Sequence, residues 1–313
     1  MRLLAAVALV LGSAAAAAIA PIWTYAISLA LFGLPHVLVE LRYVDERFAA
    51  RMPRNLILGL GIGLAGIVLM RAFGLLGAGS SDERITLELV LGVSLIAVAF
   101  PLLRRAKTSP LAIAVGGGLL FGIVYAPIAT LVTMALLHNL TPVGFLAERL
   151  QGAERRRAMA LCAIVFGVIP AAILILPASV TMLTGPLNVG HLDDHISTFV
   201  PPALLGTTFA DRLFAAAAFL QCMHYAVVMH VLPRLSGGTE ATSAVVPWPK
   251  QRLFTAVVVA VGLLMTIGFI ANFRSARSVY SMFAAVHAWI EIPVLLIACA
   301  VLPRHATSQT IAT

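Results

Sequence analysis

Long apolar runs separated by short polar turns set the pattern of this chain. Runs such as Asn55 to Leu76 and Leu253 to Ala271 are long enough for an α-helix to cross about 30 Å of hydrocarbon. Backbone groups in lipid must be satisfied within their own segment, and the strand alternation of a barrel is absent, so the runs predict helices. Clear spans are expected at about 55–77, 86–103, 158–183, 209–232, 252–272 and 280–302. Leu3 to Ala20 forms a further apolar run that meets Pro21, and a second follows from Ile22 to Leu41. The stretch 110–147 is too long for one crossing and short for two. It contains Tyr125-Ala126-Pro127-Ile128, which echoes Ile19-Ala20-Pro21-Ile22. Proline opens a helix well and steers the preceding residue away from the helical region. Reading both Ala-Pro steps as tight hairpins predicts an all-α, polytopic membrane bundle of about ten transmembrane helices (8–10). Residues 1–305 form one transmembrane domain on this reading, and 306–313 a disordered polar tail.

Charge placement favours the second hairpin. With ten spans and the N-terminus inside, 16 of the 21 basic residues, among them Arg42, Arg47, Arg51 and Arg155 to Arg157, face the cytoplasm. A single crossing at 110–138 would invert the rest and leave 11 against 9. The positive-inside bias therefore selects the second hairpin, with both termini cytoplasmic; the expected location is a prokaryotic cytoplasmic membrane. The first segment resembles a signal peptide, but its n-region is only Met1-Arg2, which favours retention as a first helix. Only 11% of residues are charged and 61% are hydrophobic, whereas a soluble domain carries roughly 25% charged residues. The net charge of +8 sits in short loops, so it reports orientation and gives no sign of a nucleic-acid partner. Cys162, Cys222 and Cys299 lie in apolar runs and offer no disulfide framework.

Four histidines, His36, His138, His224 and His287, interrupt the apolar runs. Ionisable residues inside a membrane are costly and mark function by default. On the ten-span map all four lie on segments running in the same direction, between about one-third and three-quarters of the way through. His36 is followed by Glu40 and His287 by Glu291, an offset that puts each pair on one helix face. Four imidazoles at similar depth predict a buried metal site of the kind that bundles build from facing helices. Imidazole suits iron, copper, zinc and nickel, and carboxylates behind the ligands fix tautomers or ligate directly. The plainer reading of Glu40 is a headgroup-level charge balanced by Arg42. His230, at the end of its span, is expected to snorkel. His191 and His195 read as a solvated polar loop rather than a loop metal site, and Cys222 and Met134 as core filling.

The segment Gly33-Leu34-Pro35-His36 with Glu40 resembles the first-helix signature of the Brp/Blh family of membrane carotene dioxygenases, Gly-hydrophobic-Pro-His with Asp at the fourth position. Met223-His224-Tyr225 through His230 to Arg234 is similar to the family's Trp-His-Ser-x-x-His stretch, with the two histidines six apart rather than four. His287 stands where a late Pro-His occurs, with Val286 in place of proline. The resemblance implies an all-helical fold, histidine-ligated non-haem iron, and cleavage of a carotenoid double bond by dioxygen. The expected function is an iron-dependent membrane oxygenase acting on a lipophilic substrate drawn from the membrane lipid. His36, His138, His224 and His287 would ligate Fe2+, and Glu40 and Glu291 would support them catalytically. Haem or copper are the alternative cofactors; a haem-binding electron-transfer or haem-modifying protein and a proton-coupled transporter are the alternative functions. The oligomeric state is not legible.

Overall fold

The computed structural model describes residues 2–104, 109–175, 193–235 and 244–300. The apolar runs are helical: α1 (Arg2–Ile19), α2 (Pro21–Phe48), α3 (Arg54–Leu75), α4 (Ser81–Leu103), α5 (Ser109–Tyr125), α6 (Pro127–His138) and α7 (Thr141–Arg149). They continue as α8 (Gly152–Ala163), α9 (Ile169–Ile175), α10 (Asp193–Ile196), α11 (Thr208–His230), α12 (Leu232–Leu235), α13 (Gln251–Ala271) and α14 (Phe273–Ala300). A π turn, Ile164–Val168, joins α8 to α9. No strand occurs among the described residues. The ends of the expected spans 158–183 and 280–302, the loop with His191, and the tail with His305 lie outside them.

Among the described residues, seven segments are long and apolar enough to cross a membrane: Pro21–Arg51, Arg54–Leu75, Ser81–Leu103, Gly152–Ile175, Thr208–Leu235, Gln251–Ala271 and Phe273–Ala300. α6 and α7, bent by 43° between them, make an eighth if taken as one broken span. Leu4–Ile19 and Ser109–Tyr125 are apolar but shorter.

Both Ala-Pro steps break the chain's helices. Ala20 (φ −138°, ψ 62°) and Ala126 (φ −158°, ψ 64°) leave the helical region, and Pro21 and Pro127 open the next helix. The cause is the steric clash that proline imposes on the residue before it. Gly122 on α5 faces Thr130 on α6 with no room for a Cβ between them, so the chain folds back there. Asn272 (φ −156°, ψ 98°) makes a third one-residue break. The last helix starts at Phe273 rather than near 280, because the Asn272 Oδ1 accepts the Ser275 N–H (3.0 Å) and caps its first turn. Between α3 and α4, Gly77 and Gly79 adopt φ of 72° and 70°. Ser80 and Glu83 then form a reciprocal capping box.

The inner helices are α2, α11 and α14, each half buried or more along its apolar stretch, against a third or less for α3, α4, α8–α9 and α13. Small side chains Ala215 to Ala218 on α11 are buried, which lets neighbours approach closely. Gln221 on α11 donates to Ser28 Oγ (2.8 Å) and to the Tyr25 carbonyl (3.3 Å). Thr266 on α13 donates to the Ala30 carbonyl (2.9 Å). One apolar cluster joins Tyr25, Phe214 and Phe273, near the starts of α2, α11 and α14. Another joins Phe48, Phe145, Val228 and Val294, toward the ends of α2, α7, α11 and α14. α2, α11 and α14 therefore run in the same direction. At the second end Glu148 accepts from Arg47 (3.0 Å) and Arg51 (3.1 Å), tying α7 to the end of α2.

Candidate metal centre

Between those two clusters the four intramembrane histidines meet. His36 comes from α2, His138 from the last residue of α6, His224 from α11 and His287 from α14. One potential ligand atom from each lies within 4.8 Å of all the others. Ring centroids are 4.6 Å apart for His138 with His224 and with His287, 4.9 Å for His36 with His287, and 5.2 Å for His36 with His224. Glu40, His287 and Glu291 form a second, overlapping group within the same limit. His36, His224, His287, Glu40 and Glu291 are all 2% exposed or less.

Local sequence explains the aim of these side chains. Pro35 has no N–H and crowds the preceding turn. In that turn His36 Nδ1 donates to the Phe32 carbonyl at 3.0 Å. Nε2 of His36 then carries the lone pair, and it lies 3.1 Å from Nε2 of His287. His138 ends α6, where Thr141 Oγ1 donates to its carbonyl (2.8 Å) and the chain bends into α7. Its Nδ1 is 2.8 Å from Glu291 Oε2, and His224 Nε2 is 3.3 Å from Glu40 Oε2. Neither approach has the angles of a hydrogen bond. Both oxygens of Glu40 and Glu291, both nitrogens of His224, and Nδ1 of His138 and His287 are buried without a hydrogen-bond partner.

Buried polar groups are normally paired, so this many orphaned donors and acceptors in one place needs a cause. The donor set fits a transition-metal ion. Ligands bound at about 2.0–2.2 Å sit roughly 3.0–3.5 Å from their neighbours around the ion, which matches the 3.1 Å between the His36 and His287 nitrogens, while the 3.3 and 2.8 Å contacts set a carboxylate oxygen directly beside an imidazole nitrogen. Nitrogen-rich sites of this kind suit iron, copper or zinc and not magnesium or calcium. A buried His and Glu group that can hold a metal ion is therefore present; which metal it prefers is a separate matter.

A cavity of about 720 Å³ opens beside the cluster and is lined by His36, His138 and His287. Its wall includes one stripe of α14 from Arg277 to Cys299 and is otherwise largely apolar. Tyr225, next to His224 in the chain, stacks on the His36 ring at 4.0 Å, and its hydroxyl lies 3.4 Å from that of Tyr280.

Other expectations fare differently. Arg42 pairs with Glu46 (2.7 Å), not Glu40, so the headgroup reading of Glu40 fails; the carboxylate is buried against His224 instead. His195 does not sit in a solvated loop. It is fully buried, against Tyr25 and Phe273, with Arg277 Nη1 2.8 Å from its Nδ1. His230 is exposed at the end of α11. Cys222 and Met134 stay outside the metal group and pack in apolar clusters. Sequence reasoning missed a polar element of the cavity wall, Arg71 with Glu88 and Trp289. The signal was an arginine and a glutamate inside apolar runs.

Compared with known protein families, curated proteins and solved structures, the chain finds no match.

Proposed function

We propose that this protein is an integral membrane non-haem iron oxygenase, similar to carotenoid-cleaving dioxygenases, acting on a long apolar substrate that enters from the bilayer. The observation that carries the reading is the convergence of four buried imidazoles with two orphaned carboxylates beside an apolar cavity. His36, His138, His224 and His287 serve as ligands on this reading. Glu40 and Glu291 would, once ionised beside a divalent ion, balance its charge, which four neutral imidazoles would leave whole in a medium that penalises net charge. Iron bound there supplies dioxygen binding and activation. The chain's own contribution is positional: Glu40 and Glu291 steady the ligands, and the apolar cavity wall excludes water from the reaction. The reading includes about ten crossings of a prokaryotic cytoplasmic membrane, with both termini cytoplasmic, and a remote kinship to the Brp/Blh family. For haem, His36 and His287 are an unsuitable axial pair, because their nitrogens, 3.1 Å apart, are too close to ligate opposite faces of one macrocycle.

Metal analysis of detergent-purified protein tests the proposal. About one iron per chain is expected, lost in His36→Ala and in His224→Ala. Full iron occupancy in both variants, or copper in iron's place, would end this version.

A further inference from the structure

Arg71 lies inside the apolar stretch of α3, where a guanidinium is costly unless it is paired. Its Nε and Nη2 donate to the two oxygens of Glu88 on α4, at 3.0 and 2.7 Å. Nη1 donates to the Ser281 carbonyl on α14 at 3.3 Å. Glu88 also accepts the indole N–H of Trp289 at 2.9 Å. The pair is electrically neutral as a unit and fastened to the helix that carries His287. A guanidinium has five N–H groups, and these bonds use one on each nitrogen, so Nη1 and Nη2 each retain another. The Arg71 side chain is 26% exposed while that of Glu88 is 6% exposed. Arg71, Glu88, Ser281 and Trp289 all line the cavity that reaches the histidines. Ser281 precedes His287 by six residues on α14, which places the guanidinium about 9 Å along the helix from the cluster.

We propose that Arg71 is the polar subsite of this cavity: it binds a neutral hydroxyl or carbonyl oxygen of an otherwise apolar, elongated lipid, and so sets which part of the chain lies beside the histidines. This inference rests on reading the cavity as the substrate site. The ligand oxygen is neutral because Glu88 already compensates the cation, and an anionic headgroup would bring an unbalanced charge into an apolar chamber. A pure hydrocarbon is disfavoured, because a site built to hydrogen-bond an oxygen leaves its donors unpaired when the oxygen is missing.

Purified protein offered equal amounts of oleyl alcohol, oleate and 9-octadecene, then stripped of excess and extracted, tests this by mass spectrometry of the retained lipid. The alcohol is expected to be retained about tenfold over either competitor. Arg71→Lys keeps the charge beside Glu88 but not the fork, and should bring alcohol and hydrocarbon within about threefold while leaving metal content unchanged. Arg277→Gln, further along the same wall, should leave the preference intact. Equal retention of 9-octadecene, preferred retention of oleate, or a preference that survives Arg71→Lys or vanishes with Arg277→Gln would each overturn the assignment. If Arg71→Lys does not fold, the three-lipid comparison on the unaltered protein decides alone. Alcohol preference in a protein that carries no metal would leave this subsite standing and remove the oxygenase reading.

Discussion

At the scale of single residues, the site depends on which atom of each ring faces inward. The Phe32 carbonyl holds one nitrogen of His36, so only the other is free to ligate. Glu291 and Glu40 stand against His138 and His224 at 2.8 and 3.3 Å, with no well-formed hydrogen bond to their oxygens. Replacing either carboxylate by its amide removes a negative charge that a bound divalent ion requires. Glu291→Gln and Glu40→Gln are each expected to weaken metal binding by about 10–100-fold in a chelator competition, with the fold retained. Unchanged affinity in both would show the carboxylates to be bystanders. These residues were legible because His36 and Glu40, like His287 and Glu291, share a helix at a fixed offset. Arg71 and Glu88 were not, since their pairing joins two helices across 17 residues and no local period reports it. His195 misled for a related reason: its polar neighbours in sequence suggested solvent, whereas Tyr25, Phe273 and Arg277 from other helices enclose it.

At the scale of elements, the apolar period and the Ala-Pro steps gave the helices and two of their breaks, because the cause is local and steric. The early start of α14 at Phe273 was hidden. Arg274 and Arg277 resemble a loop in sequence, and the capping by Asn272 decides otherwise. Packing between elements is least legible and most testable. Gly92 on α4 lies under the Trp289 ring of α14, and a methyl group there would overlap it. Gly92→Ala should therefore destabilise the protein by roughly 1–3 kcal/mol, read as a lowered midpoint of thermal unfolding. Gly61→Ala, on a helix face with nothing nearby, should not lower it. Because Trp289 lies between His287 and Glu291, Gly92→Ala should also reduce metal retention. A Gly92→Ala protein as stable and as metal-loaded as the original would contradict the packing described.

At the scale of the whole molecule, membrane class was legible from run length alone, since hydrocarbon thickness dictates it. The number of crossings was less so: α1 and α5 are short, and α6–α7 is broken at 43°. The proposed orientation makes a direct prediction. In a chain with its three native cysteines replaced, a cysteine at Ala78 should react with an impermeant reagent from outside the cell, and one at Arg155 only after the membrane is opened. The reverse pattern would invert the map. The shared direction of α2, α11 and α14 was also in the ten-span reading, and it has an electrical corollary. Because α2 and α14 run the same way, a four-residue step sends Glu40 and Glu291 toward the same membrane face. A cation among the imidazoles would thus have its counter-charges displaced to one side, by at most about 6 Å along the helix axes. That is a dipole set across the bilayer, and the membrane voltage acts on it by up to roughly 0.5 kcal/mol per elementary charge for every 100 mV. The energised state of the cell would then bear on how firmly the ion is held.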